Sequence, residues 1–322
     1  MVMKIDMVYL WVNGNDPVWR ARKEAFIRGE EYVPGEANLE SRFVDNDELK
    51  YSLRSVEACA PWINHIYIVT DNQVPSWLNV DNPRVSVVDH KQILPAEALP
   101  TYSSPAIEWC IDRIPGLSEH FLYANDDTLF AQPAEPGFFF NDEGLPIIRM
   151  KPWASSHRHL SLYMKTIVRA KELIYAHYGK RYKCIPHHNI DGYRLSHLKE
   201  FKQQFASLVE PTVMAHFRRE DDLQRSAFFY YALATGRGRL KMMGRYNRAM
   251  PLWKKVIETL HSRFYYDSRT IDISRLNFDK VLQKYHPVLF CMNDNEKADD
   301  HCRVQAKAFL DGMFPRKCSF ER

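Results

Sequence analysis

Apolar residues in the first 150 positions come in short runs, and between the runs they recur at helical spacing. The run IDMVYLWV over 5–12 reads as a strand that ends at the turn NGNDP, and VWRARKEAFIRG over 18–29 continues as a helix. DNDELKYSLRSVEACA over 45–60 opens with Asp45 as N-cap and Glu48 three residues on. It then places Leu49, Leu53, Val56 and Ala60 on one helical face. HIYIVTD (65–71), RVSVVDH (84–90) and HFLYANDD (120–127) follow as strands, with a helix over SPAIEWCIDRI (104–114). This alternation predicts an α/β fold, a mainly parallel Rossmann-like sheet flanked by helices with ligands at the carboxyl ends of its strands.

Beyond residue 150 the period changes. SLYMKTIVRAKELIYAHYG (161–179), GYRLSHLKEFKQQF (192–205) and DDLQRSAFFYYALATG (221–236) all read as helices, so the second half brings a mainly α-helical insertion. A last apolar strand, PVLFCMND (287–294), precedes a helix over 302–314. Three portions result: an α/β portion over 1–150, a mainly helical one over 151–250, and a return to the core over 251–322. No repeat or Gly/Ser linker separates them.

The polar interruptions carry the candidate chemistry. Asn13 and Asp16 follow the first strand, Asp71 and Gln73 the second, Asp89 and His90 the third, and Asn125, Asp126 and Asp127 the fourth. In a parallel sheet those ends share one edge, so residues remote in sequence converge. Two adjacent carboxylates repel unless a cation offsets them, and Mg²⁺ or Mn²⁺ bridging to the phosphates of a nucleotide diphosphate is a common solution. Other chemistries lack their signatures: there is no P-loop and no GxSxG elbow, and CIPHH (184–188) has no second Cys/His pair at zinc spacing.

Composition narrows the classes further. With 322 residues, 45% of them hydrophobic, the chain can bury a sizeable core. Its net charge of +4 comes from interleaved acids and bases, which argues against a nucleic-acid partner; the basic run RGRLKMMGRYNR (237–248) reads as a solvated face. The six cysteines are far apart with no CxxC pair, as suits a reduced compartment. The first apolar run is short and contains Asp6, unlike a signal peptide, and no stretch reaches the roughly 18 apolar residues of a membrane span. The expected location is the cytoplasm, with peripheral association at the inner membrane face as a further option.

IDMVYLWVNGNDPVW, RFVDNDELKYSLRSVEACAPWINHIYIVTDNQVPSWLN, LPTYSSPAIEW, FLYANDD and FCMNDN…FPRKCSFE together resemble, in order, the four regions of the Stealth family. That family includes bacterial capsular-polysaccharide phosphotransferases and the catalytic subunit of the animal N-acetylglucosamine-1-phosphotransferase. The third region is recognised through IPHHNID and FRREDDLQ, and the family's CLND motif falls on Cys291 to Asp294 with Met292 in place of Leu.

The resemblance implies a GT-A-like sheet and a metal-dependent transfer of a hexose-1-phosphate, N-acetylglucosamine-1-phosphate above all, from a UDP-sugar to a sugar hydroxyl. The products would be a phosphodiester and UMP, in capsule or exopolysaccharide synthesis. Essential positions carry over to Glu108, Asp126, Asp127, His187 and Arg218. Asp126, Asp127, Asp294 and Asn295 would hold Mg²⁺ or Mn²⁺, and Arg218 would grip the transferred phosphate. Asp127, Glu108 and His187 are the candidate general bases.

Contacts to uridine and pyrophosphate are expected from Trp11, Asn13, Gly14 and Asp16, with Arg42, Asn46, Arg54, Asp71 and Gln73. The first portion would then bind the nucleotide sugar and the second the saccharide acceptor. Two rival readings are a GT-A-type glycosyltransferase, which would release UDP, and a non-catalytic carbohydrate-binding protein, which would turn over no nucleotide sugar.

Overall fold

The computed structural model of the protein describes residues 3–29, 39, 42–152, 160–243, 253 and 267–322; the end of the basic run, 244–248, lies outside them. Strands β1 (Ile5–Leu10), β2 (Ile66–Thr70), β3 (Val85–Asp89) and β4 (His120–Asn125) run parallel in the order β3-β2-β1-β4. The expected α/β architecture is therefore present, with α1 (Pro17–Gly29), α2 (Glu48–Cys59), α3 (His90–Ile93) and α4 (Ser104–Glu108) in the connections. β1 is central and buried, and its one acid, Asp6, accepts hydrogen bonds from Asn64 Nδ2 and Ser118 N at 2.7 Å each. In register, Leu10 faces Val69 and Asn125, and Thr70 faces Asp89. The residues that follow, Trp11, Asp71, His90 and Asp126, therefore emerge along one edge.

Further strands are β5 (Thr128–Phe130), β6 (Ile147–Pro152), β7 (Cys184–Pro186), β8 (Asp191–Arg194), β9 (Arg239–Met242), β10 (Ser268–Asp272) and β11 (Leu289–Asn293). β8 extends the main sheet antiparallel to β4, while β7-β6-β9 and β10-β11-β5 form two small sheets. The chain leaves β4, turns at Asp126 and Asp127, and enters β5, which pairs antiparallel with β11 so that Cys291 faces Thr128. The NDD and CMND motifs thus meet. Helices α5 (Leu162–Tyr178), α6 (Leu195–Gln204), α7 (Ala206–Val213) and α8 (Ser226–Ala234) make the second half mainly helical, and α9 (Phe278–Tyr285) and α10 (Asp300–Met313) flank β11. No described helix is long and apolar enough to cross a membrane.

Four local expectations change. The helix expected over 104–114 runs only from Ser104 to Glu108, because Cys110 N bonds to Ile107 O and Arg113 N to Cys110 O, which tightens the chain into a separate 3-10 turn at Ile111–Arg113. The helix expected over 192–205 begins only at Leu195, because Asp191–Arg194 pairs with β4 and Tyr193 stacks between Phe121 (5.2 Å) and Phe228 (5.1 Å). Tertiary pairing overrides helical periodicity there. The N-cap of α2 is Asp47 at φ 67°, and Asp45 instead accepts a hydrogen bond from the Asp47 amide. The helix expected over 221–236 starts at Ser226, since Leu223 N is bonded to Thr212 Oγ1 and Arg225 reaches out to Asp191.

Candidate active site

A cavity of about 330 Å³ opens at the carboxyl edge of the main sheet. Its acidic wall comes from the turn after β4. Tyr123 Oη lies 2.8 Å from Asn125 Oδ1 and 3.0 Å from Glu108 Oε1, and Thr128 Oγ1 donates to Asn125 O at 2.6 Å, so the turn is pinned from both sides. Cys291 Sγ donates to Asp127 Oδ2 at 3.1 Å, whereas Asp127 Oδ1 is buried with no hydrogen-bond partner among the described residues. Burial, and then mutual repulsion with Asp127, Glu48 and Asp45, holds the Asp126 carboxyl well above its ordinary range. Burial raises Asp127 as well. Glu48 is pushed up to about 7 by burial, although the Asn46 amide groups donate to it at 2.6 and 2.7 Å.

The opposing wall is cationic and imidazole-rich. Arg218 donates to Ser104 Oγ at 2.7 Å, and Arg225 donates to Asp191 Oδ2 at 2.8 Å with its guanidinium 4.8 Å from the centre of the Tyr123 ring. The end of β7 presents His187 and His188. Ser268 Oγ lies 2.6 Å from His187 Nδ1, and Asn125 Nδ2 lies 3.4 Å from His188 Nε2. Burial and the surrounding Lys and Arg side chains lower both imidazoles to about 3, so both rings are neutral at physiological pH. Glu108 faces these groups, its carboxyl raised by burial against the pull of Arg225, Tyr123 and Arg218.

Of the residues singled out from sequence, Glu108, Asp126, Asp127, His187, Arg218, Trp11, Arg42 and Asp294 line this one cavity. The others are engaged elsewhere. Gln73 Oε1 accepts from Asn13 N at 2.9 Å, and Gln73 Nε2 donates to Asp16 Oδ2 at 3.1 Å, so these three hold one another. Gly14 packs against the Phe43 carbonyl, where a Cβ would come within 2.1 Å of the oxygen. Asp71 accepts from Trp19 Nε1 (2.9 Å) and Arg22 (2.5 Å). Arg54, expected at the nucleotide, forks onto Glu321 at 2.6 and 2.7 Å and ties down the C-terminal segment. Asn46 bridges Glu48 and Asp294, and Asn295 donates to Asp272 Oδ1 at 2.7 Å.

Asp126, Asp127 and Asp294 offer carboxylate oxygens to the cavity, and the orphaned Asp127 Oδ1 is the kind of buried acceptor that a divalent cation or a substrate proton satisfies. Asp294 is also paired with Arg303 at 2.9 Å, and the Asn295 amide is turned to Asp272. Ligand atoms of Asp127, His188 and Cys291 lie within 4.8 Å of one another. The carboxylate oxygens of this wall therefore fit a divalent cation. Sequence reasoning passed over His188 and Arg225; the doubled histidine in IPHH and the arginine one turn beyond FRRED were the available signals.

The fold and cavity define an α/β protein with a carboxylate-and-arginine site at the edge of a parallel sheet. Residues 3–31 match the model of Stealth protein conserved region 1 and residues 42–148 that of conserved region 2. The chain belongs to the Stealth family. It is 39% identical over 331 residues to the exopolysaccharide phosphotransferase SCO6023 of Streptomyces coelicolor, covering 99% of this chain and 52% of that protein. It is 31% identical over 332 residues to the capsular polysaccharide phosphotransferase SacB of Neisseria meningitidis serogroup A, covering 99% and 57%. The chain thus spans about half the length of the curated relatives it matches. Among solved structures, the inositol-1-phosphate CTP transferase from T. maritima is 8% identical with a TM-score of 0.40, covering 97% of each chain.

Proposed function

We propose that this cavity transfers a hexose-1-phosphate, N-acetylglucosamine-1-phosphate foremost, from a UDP-sugar to a sugar hydroxyl in capsular or exopolysaccharide synthesis at the cytoplasmic face of the membrane. One observation carries the reading: the carboxylates of Asp126 and Asp127 share a single cavity with Arg218 and Arg225. That pairing suits in-line transfer at phosphorus, where catalysis consists mainly of positioning and charge stabilisation. The relatives, capsular and exopolysaccharide phosphotransferases, support the same class.

Each wall then has a task. Arg218 and Arg225 bind the transferred phosphate with planar forks, Arg218 steadied by Ser104 and Arg225 by Asp191. His187 and His188, held neutral, contribute hydrogen bonds without adding charge. Asp126 and Asp294 would hold Mg²⁺ or Mn²⁺, which when bound neutralises charge on the diphosphate. Asp127 takes the acceptor proton on Oδ1 while Cys291 fixes Oδ2. The acceptor oxygen bonds to the β-phosphorus as the bond from that phosphorus to UMP breaks, leaving the sugar carbon–oxygen bond untouched.

The test is to incubate the protein with a panel of UDP-sugars, a saccharide acceptor and Mg²⁺ and to read the products by phosphorus NMR. A phosphodiester resonance that grows with time is expected, its growth stopping on addition of EDTA and resuming when Mg²⁺ is restored. Turnover of the donor with no diester formed would refute the reading.

A further inference from the structure

The cavity extends well beyond the phosphate-facing walls. His90 follows β3 and Asp126 follows β4, and in the order β3-β2-β1-β4 these ends are three strand spacings apart, roughly 14 Å. Such a span suits a nucleoside diphosphate lying from base to terminal phosphate. At the β3 end the walls are aromatic: the Trp19 ring lies 5.5 Å from Phe43 and 5.6 Å from Tyr102, and all three residues line the cavity.

Near these rings are buried polar atoms without hydrogen-bond partners among the described residues. His90 is 2% exposed and Tyr102 3% exposed, and among the described residues neither His90 Nδ1 nor Tyr102 Oη has a hydrogen-bond partner. Thr70 Oγ1 and Ser103 Oγ, on the adjoining residues of β2 and the Tyr102 loop, are in the same condition. Buried polar groups almost always find partners, so a cluster of orphans beside a cavity marks a place where a ligand supplies them. Burial keeps the His90 ring neutral, so the ring and the Tyr102 hydroxyl together can donate and accept. Apolar faces with a donor and an acceptor at their edge complement a planar heterocycle, which is read by stacking and by hydrogen bonds to its edge.

We propose that Trp19, His90 and Tyr102 form a nucleobase subsite, contacting the face of the base with the aromatic rings and its edge with His90 and Tyr102. The inference rests on the nucleotide-sugar reading above, and it moves base recognition away from Asn13, Asp16 and Gln73, which bond to one another.

Calorimetric titration of the full chain with UMP and with ribose 5-phosphate, which has a hydroxyl in place of the base, tests it. The wild-type protein should bind UMP at least tenfold more tightly. Tyr102→Phe and His90→Ala should each remove most of that preference while leaving ribose 5-phosphate affinity unchanged. Because the Tyr102 hydroxyl has no hydrogen-bond partner among the described residues, Tyr102→Phe should melt at or above the wild-type temperature. UMP binding no better than ribose 5-phosphate to the wild type, or a full UMP preference in both variants, would overturn the subsite. The two readings fail separately. A protein that makes the phosphodiester with no preference for the base loses the subsite alone, and one that prefers UMP through these residues yet forms no diester loses the transfer reading alone.

Discussion

Cys291 donates its thiol hydrogen to Asp127 Oδ2 at 3.1 Å, joining two motifs 164 residues apart in the chain. The Met292 amide donates to the Asp127 carbonyl at 2.8 Å, so the β5–β11 pairing fixes this carboxylate through both backbone and side chain.

Loss of that thiol should leave Asp127 less well held. A hydrogen bond to a charged group contributes about 1.5–3 kcal/mol, so Cys291→Ala should slow transfer roughly 10- to 100-fold in initial-rate assays. Cys291→Ser retains a donor and should recover most of the rate. A Cys291→Ala protein with an unchanged rate would count against the assigned geometry.

Asp191 and Arg225 form a mostly buried ion pair at 2.8 Å. Removing the acid leaves a desolvated guanidinium beside Tyr123, so Asp191→Ala should destabilise the fold by about 3–5 kcal/mol in denaturant titration. Arg225→Lys keeps the charge but loses the planar fork, and should lower kcat for transfer with a smaller effect on stability. Equal stability of Asp191→Ala and wild type would contradict the pairing.

Arg54 acts at a distance from the cavity. Its fork onto Glu321 predicts that Arg54→Ala loses on the order of 3 kcal/mol of stability while its KM for the donor is unchanged. Burial works to raise the Glu321 carboxyl, but the Arg54 and Cys318 hydrogen bonds outweigh it and hold it below its ordinary value of 4.5. A lowered folded-state value means that this stabilisation is present above the unfolded value and lost as pH falls through the folded one. Unfolding curves of Arg54→Ala and wild type should therefore differ at neutral pH and converge in acid. A raised donor KM in Arg54→Ala would place the residue at the nucleotide after all.

The parallel sheet was legible because its strands are short apolar runs, buried on both faces and separated by helix-spaced segments. The convergence of Trp11 and Asp126 on one cavity followed from topology, since successive parallel strands deliver their carboxyl ends to the same edge, whereas Glu108 reaches it from α4 and Asp294 from the separate β10-β11-β5 sheet. What escaped notice depended on contacts between remote segments. Asp191–Arg194 has ordinary helical spacing, and only its pairing with β4 and the Phe121–Tyr193–Phe228 stack make it a strand. Arg225 stands at the N-cap of α8 and turns its guanidinium to Asp191, a partner 34 residues away. Polar residues after β1 and β2 looked available for ligand in sequence, but Asn13, Asp16 and Gln73 satisfy one another locally. That His90 Nδ1 and Tyr102 Oη lack partners among the described residues is visible only in three dimensions.

In the proposed reaction the bond breaks at phosphorus, between the Asp126–Asp127 turn and Arg218. Chromatographic identification of the nucleotide released on transfer tests it most directly. UMP should appear in equal amount to the phosphodiester, and its formation should fall to background in Asp127→Asn and Arg218→Ala proteins that remain folded. Release of UDP, or UMP formation that persists in both variants, would contradict it.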